Sequence, residues 1–168
     1  MRDWMTLDLT RSNTTSPEPT PGSCTRHEPE TDDAEGLARL MLDAYRGTID
    51  DGGETLDEAK GEVAKLLAGQ YGQLDRGASS LFSADGTFVA ATIITRDATK
   101  IATGEAFLAF SMTAPNWKRR GLARAGLVRA ISVLSQRGEP RLHLLVTQGN
   151  EPAARLYRDL GFVVTQSK

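Results

Sequence analysis

Twice between residues 106 and 162 the sequence leaves an apolar, strand-type run and enters a helix through a marked start. The first run, 106–113, is halted by Pro115, which lacks the N–H that a central sheet ladder needs. Residues 121–136 then set Leu122, Ala125, Gly126, Val133 and Leu134 on one helical face, until Gly138 and Pro140 break the pattern. The second run, 141–147, is rich in Leu and Val. After it Asn150 offers an N-cap, and Ala153, Leu156, Tyr157 and Leu160 follow at i, i+3, i+4 and i+7. Gly161 suits the C′ position, and residues 162–165 start a last strand. Such alternation leads to a sheet with helices packed on its faces.

The upstream pattern fits the same architecture. Residues 24–27 read as a first strand. Asp32 and Glu35 have capping-box spacing, and Ala34, Leu37, Ala38, Met41 and Tyr45 form a helical stripe that stops near Gly47. Thr55 and Glu58 form a second box, ahead of Leu56, Ala59, Val63, Leu66 and Leu67, with Gly69 near the stop. Residues 79–83 and 87–95 read as a hairpin around Ala84, Asp85 and Gly86. A polar loop, 96–104, follows. The order β-α-α-β-β-β-α-β-α-β defines a mixed α/β fold. Residues 11–23 are polar with three prolines and cannot bury enough area to offset ordering entropy, so they read as a linker. Residues 4–9 alternate imperfectly and suit a short docked strand. The division expected is therefore an arm over 1–23 and one domain over 24–168.

Composition removes several classes. At 168 residues, 39% hydrophobic and 25% charged, the chain suits one soluble domain. No apolar run approaches the ~20 residues of a membrane span, and residues 1–10 lack a signal-peptide core. A net charge of -2 argues against a general nucleic-acid binder. One cysteine, Cys24, and two histidines, His27 and His143, leave little for an internal disulfide or a metal cluster. A cytoplasmic protein without a metal is expected. Cys24 reads as a small buried apolar residue, and His143, inside an apolar strand, as structural.

Two segments carry chemistry. Lys118, Arg119, Arg120, Gly121, Leu122, Ala123 and Arg124 follow a strand and open a helix. A helix N-terminus presents unpaired N–H groups to an anion, and the small Gly121 and Ala123 let a phosphate approach. On these residues alone a solvated basic helix start is the simpler reading. There is neither a Walker loop nor a Gly-x-Gly-x-x-Gly. In the second segment Asn150 alone reads as a cap and Tyr157 as a core residue. Seven apart, they share one helix face, where an amide and a phenol could follow a long phosphate-headed ligand.

Together these segments resemble the cofactor-binding half of the GNAT superfamily of acyl-coenzyme A N-acyltransferases. Its signature, Gln/Arg-x-x-Gly-x-Gly/Ala at a strand–helix junction, is matched by Lys118 to Ala123. A later Asn-x-x-Ala-x-x-x-Tyr-x-x-x-Gly-Phe is matched at Asn150, Ala153, Tyr157, Gly161 and Phe162. Met112 to Trp117 resembles the family's approach to the loop. The detailed resemblance covers about residues 106–164. Lys118 departs from the usual Gln or Arg, replacing a fork with a point charge. The usual seventh strand has no counterpart after residue 165, so the segment near Trp4 or a neighbouring subunit would have to fill that edge.

The resemblance implies a mainly antiparallel central sheet with helices on both faces and with splayed fourth and fifth strands, here 106–113 and 141–147. It implies acetyl-coenzyme A as cosubstrate, gripped between those strands like an extra strand. Backbone N–H groups near Ser111, Met112 and Thr113 would polarise the thioester carbonyl. Those of Arg119, Arg120, Gly121 and Ala123 would hold the pyrophosphate, with Lys118, Leu122 and Arg124 around them. Asn150 would bond the cofactor's amide arm beside Ala153, and Tyr157 would protonate the departing thiolate. Transfer would go directly to a primary amine of a small molecule. Glu105 is a candidate base, and Asp50, Asp51 and Glu54 are candidates for the acceptor site. The alternatives are a protein or peptide acetyltransferase, with an N-terminal amine or a lysine as acceptor, and a non-catalytic acyl-coenzyme A-binding module. Homodimers are frequent in the family, and one is an open expectation here.

Overall fold

The computed structural model describes residues 1–11, 20–96 and 104–167. Most of the expected linker and of the 96–104 loop lies outside the described residues.

The strands are β1 (Arg2–Asp8), β2 (Thr25–His27), β3 (Gln73–Leu74), β4 (Ser80–Ala84), β5 (Thr87–Arg96), β6 (Ala106–Thr113), β7 (Arg141–Thr147) and β8 (Val163–Ser167). The helices are α1 (Ala34–Tyr45), α2 (Leu56–Leu67), α3 (Leu122–Gln136) and α4 (Glu151–Asp159). One sheet runs in the order β2-β4-β5-β6-β7-β1-β8, with β3 paired to β5. Every pairing is antiparallel except β6 with β7. Successive strand residues face opposite sides. Ile93 thus joins Leu37, Met41, Val63 and Leu66 under α1 and α2, while Ile94 joins Leu127, Ile131 and Leu134 under α3. Tyr157 and Phe162 pack on the α3 side with β7. This is the mixed, mainly antiparallel sheet with helices on both faces that the resemblance implies.

Local signals account for most boundaries. Asp85 (φ 50°) and Gly86 (φ 76°) both take positive φ, as a two-residue hairpin turn requires. Thr55 Oγ1 accepts from the Glu58 N–H, and the Glu58 carboxylate accepts from the Thr55 N–H. The first expected box is not the one formed. A 3-10 turn over Thr31–Asp33 precedes α1, and the Asp33 carboxylate accepts from the Glu30 N–H at 2.7 Å. Asp32 therefore caps nothing, and Glu35 pairs with Arg39 instead.

The N-terminal segment supplies a strand, but an interior one: β1 enters the sheet between β7 and β8, and β8 is the edge. β1 pairs with β7 from Arg2↔Thr147 to Asp8↔Arg141, and with β8 on its other side. Met5 and Leu7 project into the core under α3 and α4, and Leu9 follows in a 3-10 turn. Burying three such side chains contributes roughly 1.5–3 kcal/mol each. Trp4 and Thr6 take the opposite face, where Trp4 lies 5.6 Å from both Phe107 and His143.

At Gly126 α3 packs tightly on β5. A Cβ there would collide with the Thr92 hydroxyl and stand 3.0 Å from its Cβ. Gly61, exposed in mid-α2, has nothing within 4 Å. Urea unfolding should show Gly126→Ala destabilised by about 1–3 kcal/mol and Gly61→Ala stabilised by about 0.5–1 kcal/mol. Equal effects at the two sites would contradict this packing.

Candidate active site

The parallel contact between β6 and β7 is short. It covers Ala106↔Leu142, Phe107↔His143 and Leu108↔Leu144 and then stops. β6 stays paired to β5 as far as Thr113↔Ala90, and β7 to β1 as far as Thr147↔Arg2. The two strands are held from outside while a wedge opens between them. The cause lies in β6. Leu108 faces Ile94 and Phe110 faces Ile93, so Ala109 is an extra residue, a bulge that bends the strand where the splay begins. The inner edges of 109–113 and 145–147 have no strand between them, and backbone groups need partners. A cavity of about 410 Å³ lies there, reaching from Ser111 and Tyr157 to Asp50 and Glu62.

The basic segment begins at the far end of β6. Pro115–Trp117 form a 3-10 turn, and Arg119 (φ 62°) and Gly121 (φ 83°) are both left-handed. Alternating backbone hands of this kind turn N–H groups toward one concavity that suits an anion. No side chain caps α3, and its first backbone bond runs from the Ala125 N–H to the Gly121 carbonyl at 2.9 Å. Lys118, Arg119, Arg120 and Arg124 are exposed around it, with the Arg120 guanidinium 4.6 Å from the Trp117 ring centre. Leu122 is buried, Met112 points its side chain into the α1–α2 core, and Ala123 and Thr113 are half-buried.

At the end of β7, Asn150 caps α4 by accepting from the Ala153 N–H at 3.3 Å. Its Nδ2 donates to Asp50 Oδ2 at 3.0 Å, and Thr147 Oγ1 donates to Asp50 Oδ1 at 2.6 Å. Each end of the Asn150 amide thus has a partner, and a cofactor amide would have to use the remaining N–H or lone pair. Tyr157 stands two turns along α4, 7% exposed. Burial pushes its phenol up to about 12, with Ser111 pulling the other way and Asp50 adding to the rise. Ser111 on β6 and Tyr157 on α4 are thereby brought together.

The three acidic loop residues separate in role. Backbone N–H groups of Gly47 and Gly53 hold the Asp51 carboxyl below its ordinary value, with Arg46 at 3.5 Å. Glu54 accepts from the Gly52 N–H at 3.1 Å and is exposed. Only Asp50 among them bonds across the site to β7 and α4. Glu105 lies elsewhere, bonded to His143 Nε2 at 2.7 Å and to Arg141 Nε at 3.4 Å, while His143 Nδ1 meets Thr6 Oγ1 at 2.9 Å. This set pins β6, β7 and β1 together at the closed end of the wedge. Glu105 does not line the cavity. Strand spacing puts it roughly 13–20 Å from residues 109–111.

Sequence reasoning passed over Arg2, Tyr45, Glu62 and Tyr71, which also line the cavity. Tyr45 reads as one more member of the α1 stripe. Its phenol is driven well above its ordinary value by burial, then by Tyr157 and Asp50, with Arg2 opposing. Tyr71 donates to Glu62, which also binds Lys65, and that bond raises the phenol to about 12. The signal for Tyr45 is its place in the last turn of α1, ahead of Gly47; nothing local marks Arg2.

Among the described residues no three His, Cys, Asp or Glu are grouped to hold a metal, and no helix is long and apolar enough to cross a membrane.

Residues 36–162 match the family model described as Acetyltransferase (GNAT) family. Over 53 residues the chain is 42% identical to mycothiol acetyltransferase of Thermobifida fusca (strain YX), covering 32% of this chain and 16% of that protein. A GCN5-related N-acetyltransferase from Sphaerobacter thermophilus superposes with a TM-score of 0.72 at 18% identity, over 98% of this chain and 48% of that one. The ribosomal-protein-S18-alanine N-acetyltransferase from Escherichia coli gives 0.61 at 23% identity, over 82% and 76%. The chain thus spans about half of the Sphaerobacter protein and far less of the mycothiol enzyme. At these identities the two structures show the fold alone.

The left-handed turn yields a direct test. In Gly121→Ala a Cβ would meet nothing nearer than Pro21 at 3.8 Å, so its cost is conformational, about 1–2 kcal/mol. Calorimetric titration with coenzyme A should show binding weakened roughly 5- to 30-fold. Unchanged affinity would dissociate the turn from anion binding.

Proposed function

The chain belongs to the GNAT acetyltransferase family, and on that premise we propose that it transfers an acetyl group from acetyl-coenzyme A directly to the primary amine of a small molecule. The observation that carries this reading is the buried Tyr157 phenol set beside Ser111 at the opening between β6 and β7. The fit of the cosubstrate is supported by two features of the chain. The wedge offers unpaired strand edges, and the left-handed turn before the uncapped α3 offers an anion cradle.

When bound, acetyl-coenzyme A supplies the activated thioester. Backbone N–H groups of the Ser111–Thr113 stretch would stabilise the negative charge that grows on the carbonyl oxygen. Tyr157 would give its proton to the sulfur as the C–S bond breaks and the N–C bond forms. Asp50, open to the cavity and oriented by Thr147 and Asn150, would receive the acceptor ammonium and take the proton it sheds, in place of the distant Glu105. Asn150 and Ala153 would position the cofactor arm from the start of α4. The 46–55 connection, latched to β7 and α4 through Asp50, covers one side of the cavity, and this supports a small acceptor over a peptide, which needs an open groove. The setting proposed is cytoplasmic.

Tyr157→Phe should lower kcat about 10²- to 10⁴-fold and leave the KM for acetyl-coenzyme A within a few-fold. With the phenol pushed up to about 12, it stays protonated through neutral and mildly alkaline pH, so Tyr157 should cause no fall in wild-type kcat between pH 7 and about 10. Wild-type turnover in the phenylalanine variant would remove Tyr157 as the acid.

A further inference from the structure

The acceptor side of the cavity carries charges of both signs, and Arg46, Asp51 and Glu62 are ion-paired within the chain. Asp51 is held by loop N–H groups and Arg46, whose other bond, 2.8 Å, goes to the Glu54 carbonyl. Glu62 is held by Lys65 and Tyr71. Glu54 is bound by its own loop and exposed at the rim. Two groups remain. Asp50 is hydrogen-bonded by Thr147 and Asn150, both neutral, and makes no ion pair among the described residues. Arg2 also lines the cavity and makes none.

Arg2 is not loosely placed. Its backbone pairs with Thr147, and the Gln148 N–H donates to the Met1 carbonyl at 3.1 Å. Directly opposed residues of an antiparallel pair project on one face with Cβ atoms about 4.5–5.5 Å apart. Arg2 therefore stands beside the Thr147 side chain, whose hydroxyl bonds Asp50. The Tyr45 phenol senses both groups, raised by Asp50 and lowered by Arg2. β1 thus brings a guanidinium to within a small molecule's length of a carboxylate, across the mouth of the wedge.

We propose that the acceptor is a small amino carboxylate of the amino-acid type, with its ammonium on Asp50 and its carboxylate on the Arg2 guanidinium. This rests on the acetyl-transfer reading and narrows it. A guanidinium matches a carboxylate with two parallel N–H donors, so Arg2 would select for that group and orient the amine toward the thioester. The same charge disfavours polyamines and other polycations, whose second ammonium would face Arg2. The acids of the 50–54 loop, read without β1, suggest a polycation; once Arg2 is in place they do not.

The test compares kcat/KM with acetyl-coenzyme A for a panel of free amino acids, their primary amides, and a polyamine, in the wild type, Arg2→Gln and Arg2→Lys. Coenzyme A affinity serves as the folding control. The wild type should prefer the best free amino acid over its amide by about 10- to 100-fold. Arg2→Gln should level the two, and Arg2→Lys should restore part of the preference. Equal or better use of amides or the polyamine by the wild type would overturn the assignment and leave acetyl transfer standing. So would a preference that survives Arg2→Gln. No transfer to any amine, with coenzyme A still bound, would overturn both readings.

Discussion

The contact between β6 and β7 ends at Leu108 and Leu144, and the rest of the site depends on where it ends. A bulge at Ala109 turns β6 away, while β5 and β1 hold the two strands from outside. The wedge therefore cannot close by sheet formation. Because β6 and β7 run parallel, each delivers a helix start to the same end of the sheet. One start is uncapped and basic. The other is capped by Asn150 and carries Tyr157 two turns on. Strand edges, the basic start of α3 and the Tyr157 phenol fall into line because one pairing stops early.

The small net charge conceals a spatial separation. Cationic side chains surround the start of α3, and carboxylates lie on the connection between α1 and α2. Asp50 joins that connection to the wedge through Thr147 and Asn150, so the cap of α4 and the α1–α2 connection share one hydrogen-bonded group. The closed end is fixed by a different polar set, Glu105, His143, Arg141 and Thr6. Glu105 is thereby a structural anchor in this geometry, and His143 has the structural surroundings its strand suggests.

What the sequence conveyed was local. Thr55 with Glu58, Asp85 with Gly86, and Asn150 with Gly161 act within a few residues of themselves, and each sits where its chemistry directs. Asp32 failed as a cap because a 3-10 turn let Asp33 serve Glu30, a choice between adjacent acids that spacing alone does not make. β1 was legible only as an imperfect alternation, because its partner strands lie more than a hundred residues away and a pairing register leaves no local trace. With β1 went Arg2, which reaches the cavity through its pairing with Thr147. Tyr45 was hidden differently, since a helical stripe does not distinguish a ring that meets the core from one that meets a cavity.

The central claim is that coenzyme A fills the wedge between β6 and β7 and seats its phosphates at the start of α3. Amide hydrogen exchange of the intact chain, with and without coenzyme A, tests it most directly. The account predicts slowed exchange over residues 109–113, 145–147 and 119–123 together. Slowing confined to the outer strands β2 or β8, or none in the wedge despite binding, would contradict it.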